Sequence, residues 1–153
     1  LWAATALTLA LIGLGEAGQA RALGEDTLQR SHQVLGPDHP ITLWAATAQT
    51  LALIGLGEAG QARALGEDTR QRCRRVLGPN YPITLLAAAA LTRAFTQLGE
   101  AESARPLGQD TLQRCQQVLG SEHPTTQYLT QGVSGGHSLP TGDAPADCAD
   151  RPV

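Results

Sequence analysis

A six-residue phrase returns at fixed spacing along this chain: LGPDHP at 35–40, LGPNYP at 77–82 and LGSEHP at 119–124, each 42 residues after the last. Residues 1–42 and 43–84 differ only at repeat positions 7, 28, 31, 32, 33, 38 and 39. Residues 85–126 keep 27 of the 42 residues of the first copy. A period of this length is the mark of a stacked array, in which each unit buries its apolar face only against its neighbours. The sequence therefore predicts an array over residues 1–126, with repeats at 1–42, 43–84 and 85–126. The remaining 127–153 lose the period and read as a Gly/Pro-rich flexible tail, with a short helical stub at most over Gln127–Thr130.

Each copy reads as two helices. In the middle copy the first runs from about Pro40 to Leu56, with Pro just inside the start, where first-turn N–H groups lack partners anyway. Gly57 interrupts it, and the second runs from about Glu58 to Leu77. Ala62, Leu65, Thr69, Cys73 and Val76 fall on one face of the second helix. Arg63 before Glu67 and Asp68 before Arg72 stand four apart on its outer face. Gly78 suits a left-handed helix end and Pro79 cannot continue the helix. The glycines at repeat position 24 (Gly24, Gly66, Gly108) oppose helix propensity in all three copies. They are read as close approaches of the backbone, so that Gly66→Ala should clash.

This pattern resembles the tetratricopeptide repeat, in its 42-residue kinesin-light-chain-like variety. The residues carrying the match are Leu-Gly-Glu-Ala-Gly-Gln-Ala-Arg (56–63), the small Thr50 and Ala62 at the helix crossing, and the Leu-Gly-Pro-x-x-Pro linker. The resemblance implies an all-α, right-handed superhelical solenoid of three helix–turn–helix repeats and six helices. It also implies a non-catalytic scaffold that binds a protein partner or a parent domain through a concave surface lined by first helices. On that pattern the surface residues are Trp2, Thr5 and Leu9 in copy one, and Trp44, Thr47, Leu51 and Ile54 in copy two. Copy three supplies Leu86 and Arg93. Ala6, Ala48 and Ala90 stand where peptide-binding members often carry Asn, which favours an apolar contact over a polar peptide clamp. Arrays of this Arg-rich, Lys-free kind look like C-terminal segments of large bacterial signalling proteins. The alternative reading is thus a sensor or regulatory module of a multidomain signalling NTPase, although no nucleotide-binding motif is present.

Charge and cysteine usage narrow the remaining classes. Of the 24 Ala and 23 Leu, 21 of each come from one helical pair written three times. A net charge of −3 argues against a general nucleic-acid binder. The basic cluster Arg70, Arg72, Arg74 and Arg75 is a candidate patch for an acidic partner or, less readily, nucleic acid. Equally, it complements a helix C-terminus. Cys73, Cys115 and Ser31 share one repeat position on an apolar stripe and read as small core residues. His39 and His123 read as turn residues. No zinc spacing or catalytic constellation appears, so neither a metal, a cofactor nor an enzymatic role is expected. Residues 41–57 carry no charge, but 17 residues is the bottom of the spanning range and the segment has a charged counterpart at Arg93, so no membrane span is expected. The expected location is cytoplasmic. The chain begins one residue into a first helix and neither end carries an obvious polar capping helix. It is therefore read as the C-terminal piece of a longer array that self-associates through its ends or contacts a parent domain.

Overall fold

The computed structural model describes residues 1–133. The expectation of a disordered tail over 127–153 falls mostly on residues 134–153, outside the described residues. Within the described part every regular element is a helix. They are α1 (Trp2–Gly13), α2 (Ala17–Leu35), α3 (Pro40–Gly55), α4 (Ala59–Val76), α5 (Pro82–Gln97), α6 (Ala101–Val118) and α7 (Pro124–Val133). Each helix packs against the next. The first helices α1, α3, α5 and α7 also pack against one another in sequence. This is the all-α solenoid that the period implies.

Seven helices replace the expected six among the described residues. The reason is that the start signal of a first helix recurs a third time, at His123–Pro124, and opens a fourth first helix. In α3 the imidazole Nδ1 of His39 accepts the backbone N–H of Ile41 at 3.2 Å, with Pro40 beginning the helix. In α7 His123 Nδ1 accepts from Thr125 N–H at 3.2 Å, with Pro124 in the same place. The stub expected at Gln127–Thr130 is therefore the middle of a ten-residue helix, and its Tyr128 and Leu129 are buried in the main core. The helix ends follow from the glycines. Gly57 (φ +75°) and Gly78 (φ +94°) adopt left-handed conformations that only glycine takes at little cost. Gly78 N–H then donates at 3.2 Å to the Cys73 carbonyl, which also accepts from Leu77 N–H at 2.8 Å.

The core is made of small and medium side chains. Leu51 and Leu85 are fully buried with Ala20, Ala48, Ala62 and Ala90, and Leu43 with Cys73 and Ala87. Buried threonines fit because several hydroxyls donate to the carbonyl one turn back, as Thr47 does to Leu43 and Thr50 to Ala46, each at 2.9 Å. The ends of the array differ from its middle. Leu43 and Leu85 are each 1% exposed, whereas Leu1 at the same repeat position is 37% exposed. At position 7 the contrast is Leu7 at 53% against Gln49 at 5% and Leu91 at 3%.

The position-24 glycines behave differently from one another, which corrects the expectation for Gly66. A Cβ there would meet Leu91 Cδ1 and Thr50 Cγ2 at 3.4 Å, an ordinary contact. A Cβ on Gly24 would overlap the Oε1 of buried Gln49, and one on Gly108 would come within 3.0 Å of Thr92 Cγ2. Gly66→Ala is thus expected to stabilise by about 0.5–1 kcal/mol through helix propensity. Gly24→Ala is expected to destabilise by about 1–3 kcal/mol, because Gln49 must move in a filled core. Thermal melts of the two variants check both signs.

Pro106 sits six residues into α6, where its copies are Ala22 and Ala64. It has no N–H to give to the Glu102 carbonyl, and its ring crowds that carbonyl. Because Pro106 is exposed, replacing it loses no packing. Pro106→Ala should raise stability by about 2 kcal/mol, the interior-helix penalty of about 3 reduced by the extra freedom of the unfolded chain. Denaturant midpoints measure it, and an unchanged midpoint would show that α6 has already relaxed around the ring.

Candidate functional site

The first-helix residues expected to line a partner surface divide into two groups. Thr5, Leu9, Thr47, Leu51 and Ile54 are buried within the array, so they present no surface and are corrected to core positions. Thr47, Leu51 and Ile54 are buried because α3 packs against α1, α2, α4 and α5, and Thr5 and Leu9 lie on α1, which packs against α2 and α3. Ala48 on α3 is buried for the same reason, and Ala90 because α5 packs against α3, α4, α6 and α7. The outward members are the position-2 residues and Arg93. Trp2 is 63% exposed and Trp44 is half-buried against the core. Their rings lie 5.7 Å apart, tilted by 42°. Leu86, half-buried, continues the row, and Tyr128 occupies the next equivalent position. Arg93 is half-buried with its guanidinium 5.5 Å from the centre of the Tyr128 ring.

On the second helices the charges are arranged across repeats. Arg21 pairs with Glu58 of the next copy at 3.3 Å, and Arg63 pairs with Glu100 at 2.6 Å. The same two repeat positions, 21 and 16, make both bridges. Arg72 Nη1 reaches back to Asp38 at 3.0 Å, and Arg114 Nη1 reaches Asn80 by the equivalent path at 3.0 Å. Arg75 also binds Asp38, at 2.9 Å to each oxygen. The expected pairs Arg63–Glu67 and Asp68–Arg72 are present too, at 3.2 and 2.8 Å.

Of the basic cluster, Arg72 and Arg75 are therefore engaged with Asp38. Arg70 and Arg74 border a crevice of about 490 Å³ with Glu67, Gln71 and Pro79. Burial, then the neighbouring Arg74 and Arg114 charges, hold the Arg70 guanidinium below its ordinary range, while Asp110 opposes them. The cross-repeat pairs were missed in the sequence. Their signal was a recurring Arg at position 21 and Glu at position 16, opposite charges in fixed phase with the period.

A groove of about 550 Å³ lies between α5, α6 and α7, within the range of natural binding pockets. Thr92 and Arg93 border it from α5, Arg105, Gly108 and Leu112 from α6, and Tyr128 from α7. The Tyr128 hydroxyl is buried without a hydrogen-bond partner among the described residues. Burial holds it protonated, raising its pKa against the opposing Arg93 charge.

Cys73 and Cys115 are buried free thiols, as their shared stripe position implies. Among the described residues no group of three or more His, Cys, Asp or Glu is placed to hold a metal ion. No described helix is long and apolar enough to cross a membrane.

Two tetratricopeptide repeat family models match the chain, one over residues 1–41 and the other over 47–117. No curated protein matches it.

Proposed function

The chain belongs to the tetratricopeptide repeat family, and from that premise we propose that it is a non-catalytic scaffold whose first-helix row, Trp2, Trp44 and Leu86 with Arg93, contacts a protein partner or a parent domain. Repeats of this family are generally protein–protein interaction modules. The observation that carries the finer reading is the tilted Trp2–Trp44 ring pair, with Trp2 exposed at its outer end. Large aromatic anchors of this kind dominate binding energies at interfaces. The 42-residue period and the Leu-Gly-Glu-Ala-Gly-Gln-Ala-Arg run support the kinesin-light-chain-like variety.

A photo-crosslinking residue placed at Trp44 or at Gln71 on the outer face tests this reading in extracts of the source cell. Protein adducts are expected from position 44 and not from 71. Equal labelling from both positions, or none from 44, sinks it. The exposed Leu7 of α1, with exposed Leu1 and Leu14 at its two ends, supports self-association or contact with a neighbouring domain. A monodisperse 16.0 kDa species at high concentration by light scattering would remove self-association.

A further inference from the structure

The basic cluster on α4 belongs to one repeat alone. Repeat position 28 is Leu28 and Leu112 in copies one and three but Arg70 in copy two, and position 32 is His32, Arg74 and Gln116 in turn. Position 28 is half-buried in all three copies, so Arg70 places a guanidinium where its counterparts place an isobutyl group. Arg74 stands one turn further along the same face, and like charges at this spacing repel.

The surrounding charges leave that repulsion in place. Arg72 and Arg75 are taken by Asp38. Arg114 is held by Asp110 at 2.9 Å and by Asn80 at 3.0 Å. Glu67, on the border of the crevice, accepts from Arg63 at 3.2 Å. Asn80 holds the linker position that carries Asp38 one repeat earlier, so the carboxylate that gathers two arginines there is a neutral amide here. Arg70 and Arg74 make no hydrogen bond or ion pair with a described residue. Burial and the Arg74 charge both work against the Arg70 cation, a cost that a bound anion removes.

Both repeats that bound the crevice are in place. Arg70, Arg74 and Pro79 border it together with Leu91 of α5, and the same three reach an adjoining recess lined by Asp110 and Arg114 of α6. Leu91 fills position 7 of the next copy, so the opening is not the unfilled place of a further repeat.

We propose that Arg70 and Arg74 bind the dianionic phosphoryl group of a small molecule, inorganic phosphate or a phosphate monoester, in this crevice. Two guanidinium forks offer more N–H donors than one carboxylate can accept, whereas a phosphoryl group brings three oxygens and a charge close to minus two. The cationic pair does not continue along the array, because Leu28 and Leu112 flank it on the neighbouring second helices. A nucleic-acid backbone needs a track of cations, which a single pair does not supply. The volume of about 490 Å³ leaves room beside the phosphoryl group for a short carbon chain against Pro79 and Leu91. The site lies on the second helices and is separate from the position-2 tryptophans.

Isothermal titration calorimetry of the full chain with β-glycerophosphate, at fixed ionic strength, tests the site. Saturable binding at sub-millimolar concentration is expected, with inorganic phosphate competing and acetate not. Arg70→Leu and Arg74→Gln install the residues of the third copy. Each should weaken binding at least tenfold, with circular dichroism showing the helices intact. Trp2→Ala should change nothing, so failure here is distinguishable from failure of the first-helix row. No saturable binding up to millimolar ligand overturns the proposal, as does undiminished binding by Arg70→Leu or equal competition by acetate. A phosphoserine peptide that binds more tightly than β-glycerophosphate assigns the pair to a protein partner and overturns a small-molecule site. Binding seen only after residues 134–153 are deleted assigns the crevice to the chain's own C-terminal segment, and equally overturns it.

Discussion

Leu51→Ala is expected to destabilise the array by about 3 kcal/mol, lowering Tm by on the order of 10 °C. Leu51 is fully buried in the middle of α3, within the main core cluster that holds Leu9, Ala48, Leu85 and Ala89. Removing its branched end loses the transfer free energy of three carbons and leaves a space that neighbours on two adjoining repeats cannot all close. Core Leu→Ala replacements span about 2–5 kcal/mol depending on how far a site collapses. The alanine-rich surroundings have little side chain to move into the gap, which holds the value away from the low end. Urea titration of the purified chain measures it. The variant also separates two roles for repeat position 9. A groove-lining leucine would change stability by no more than about 0.5 kcal/mol and act on partner binding alone. A loss under 1 kcal/mol would therefore return Leu51 to the surface group.

The element order was legible in the sequence because its signals are local. Linker prolines, left-handed glycines and i, i+4 charge pairs each act within one turn, and α4 spans Ala59–Val76 against an expectation of Glu58–Leu77. The same signals at His123–Pro124 announced α7, and only the loss of the period beyond residue 126 made its helix look shorter than it is. Which face of a first helix meets solvent was not legible. The sequence Pro40–Gly55 is apolar around nearly its whole circumference, and such a helix gives no polar stripe to mark an outside. It is buried on most sides because four helices surround it.

The three glycines illustrate a second limit. Gly24 and Gly66 have the same residue at every position from three before to three after, yet a Cβ would overlap a neighbour at one and fit at the other. The difference is made 25 residues away, by Gln49 in one case and Leu91 in the other. Repeat position 7, where copies one and two first diverge, decides the packing at position 24 of the copy before. The inter-repeat bridges are of the same kind: 37 residues separate Arg21 from Glu58, and only the stacking of repeats brings them together.

Alkaline pH should unfold the chain earlier than its arginine-rich surface suggests, and the thiols are the cause. Burial pushes Cys73 up to about 12 and Cys115 up to about 11, from an ordinary 9.0, with a hydrogen bond from Thr126 partly relieving the second. Both folded values lie above the unfolded one, so the stabilisation is complete below pH 9 and is lost as pH rises through the folded values. Between pH 9 and 11 the unfolded chain has released protons that the native chain still holds. Stability then falls by about 1.4 kcal/mol per pH unit for each thiol, on the order of 5 kcal/mol for the pair by pH 11. The composition makes this window clean, because the chain contains no lysine to titrate near pH 10.5. The first repeat supplies the control residue: Ser31, fully buried, fills the same position as the two cysteines. A Cys73→Ser, Cys115→Ser chain should lose most of the slope between pH 9 and 11 while keeping its helical signal at pH 7. Buried Tyr128, also held protonated, leaves a residual decline above pH 10 that Tyr128→Phe removes. Equal pH slopes for the wild-type and double-serine chains in urea titrations would show that hydroxide reaches these thiols in the native array.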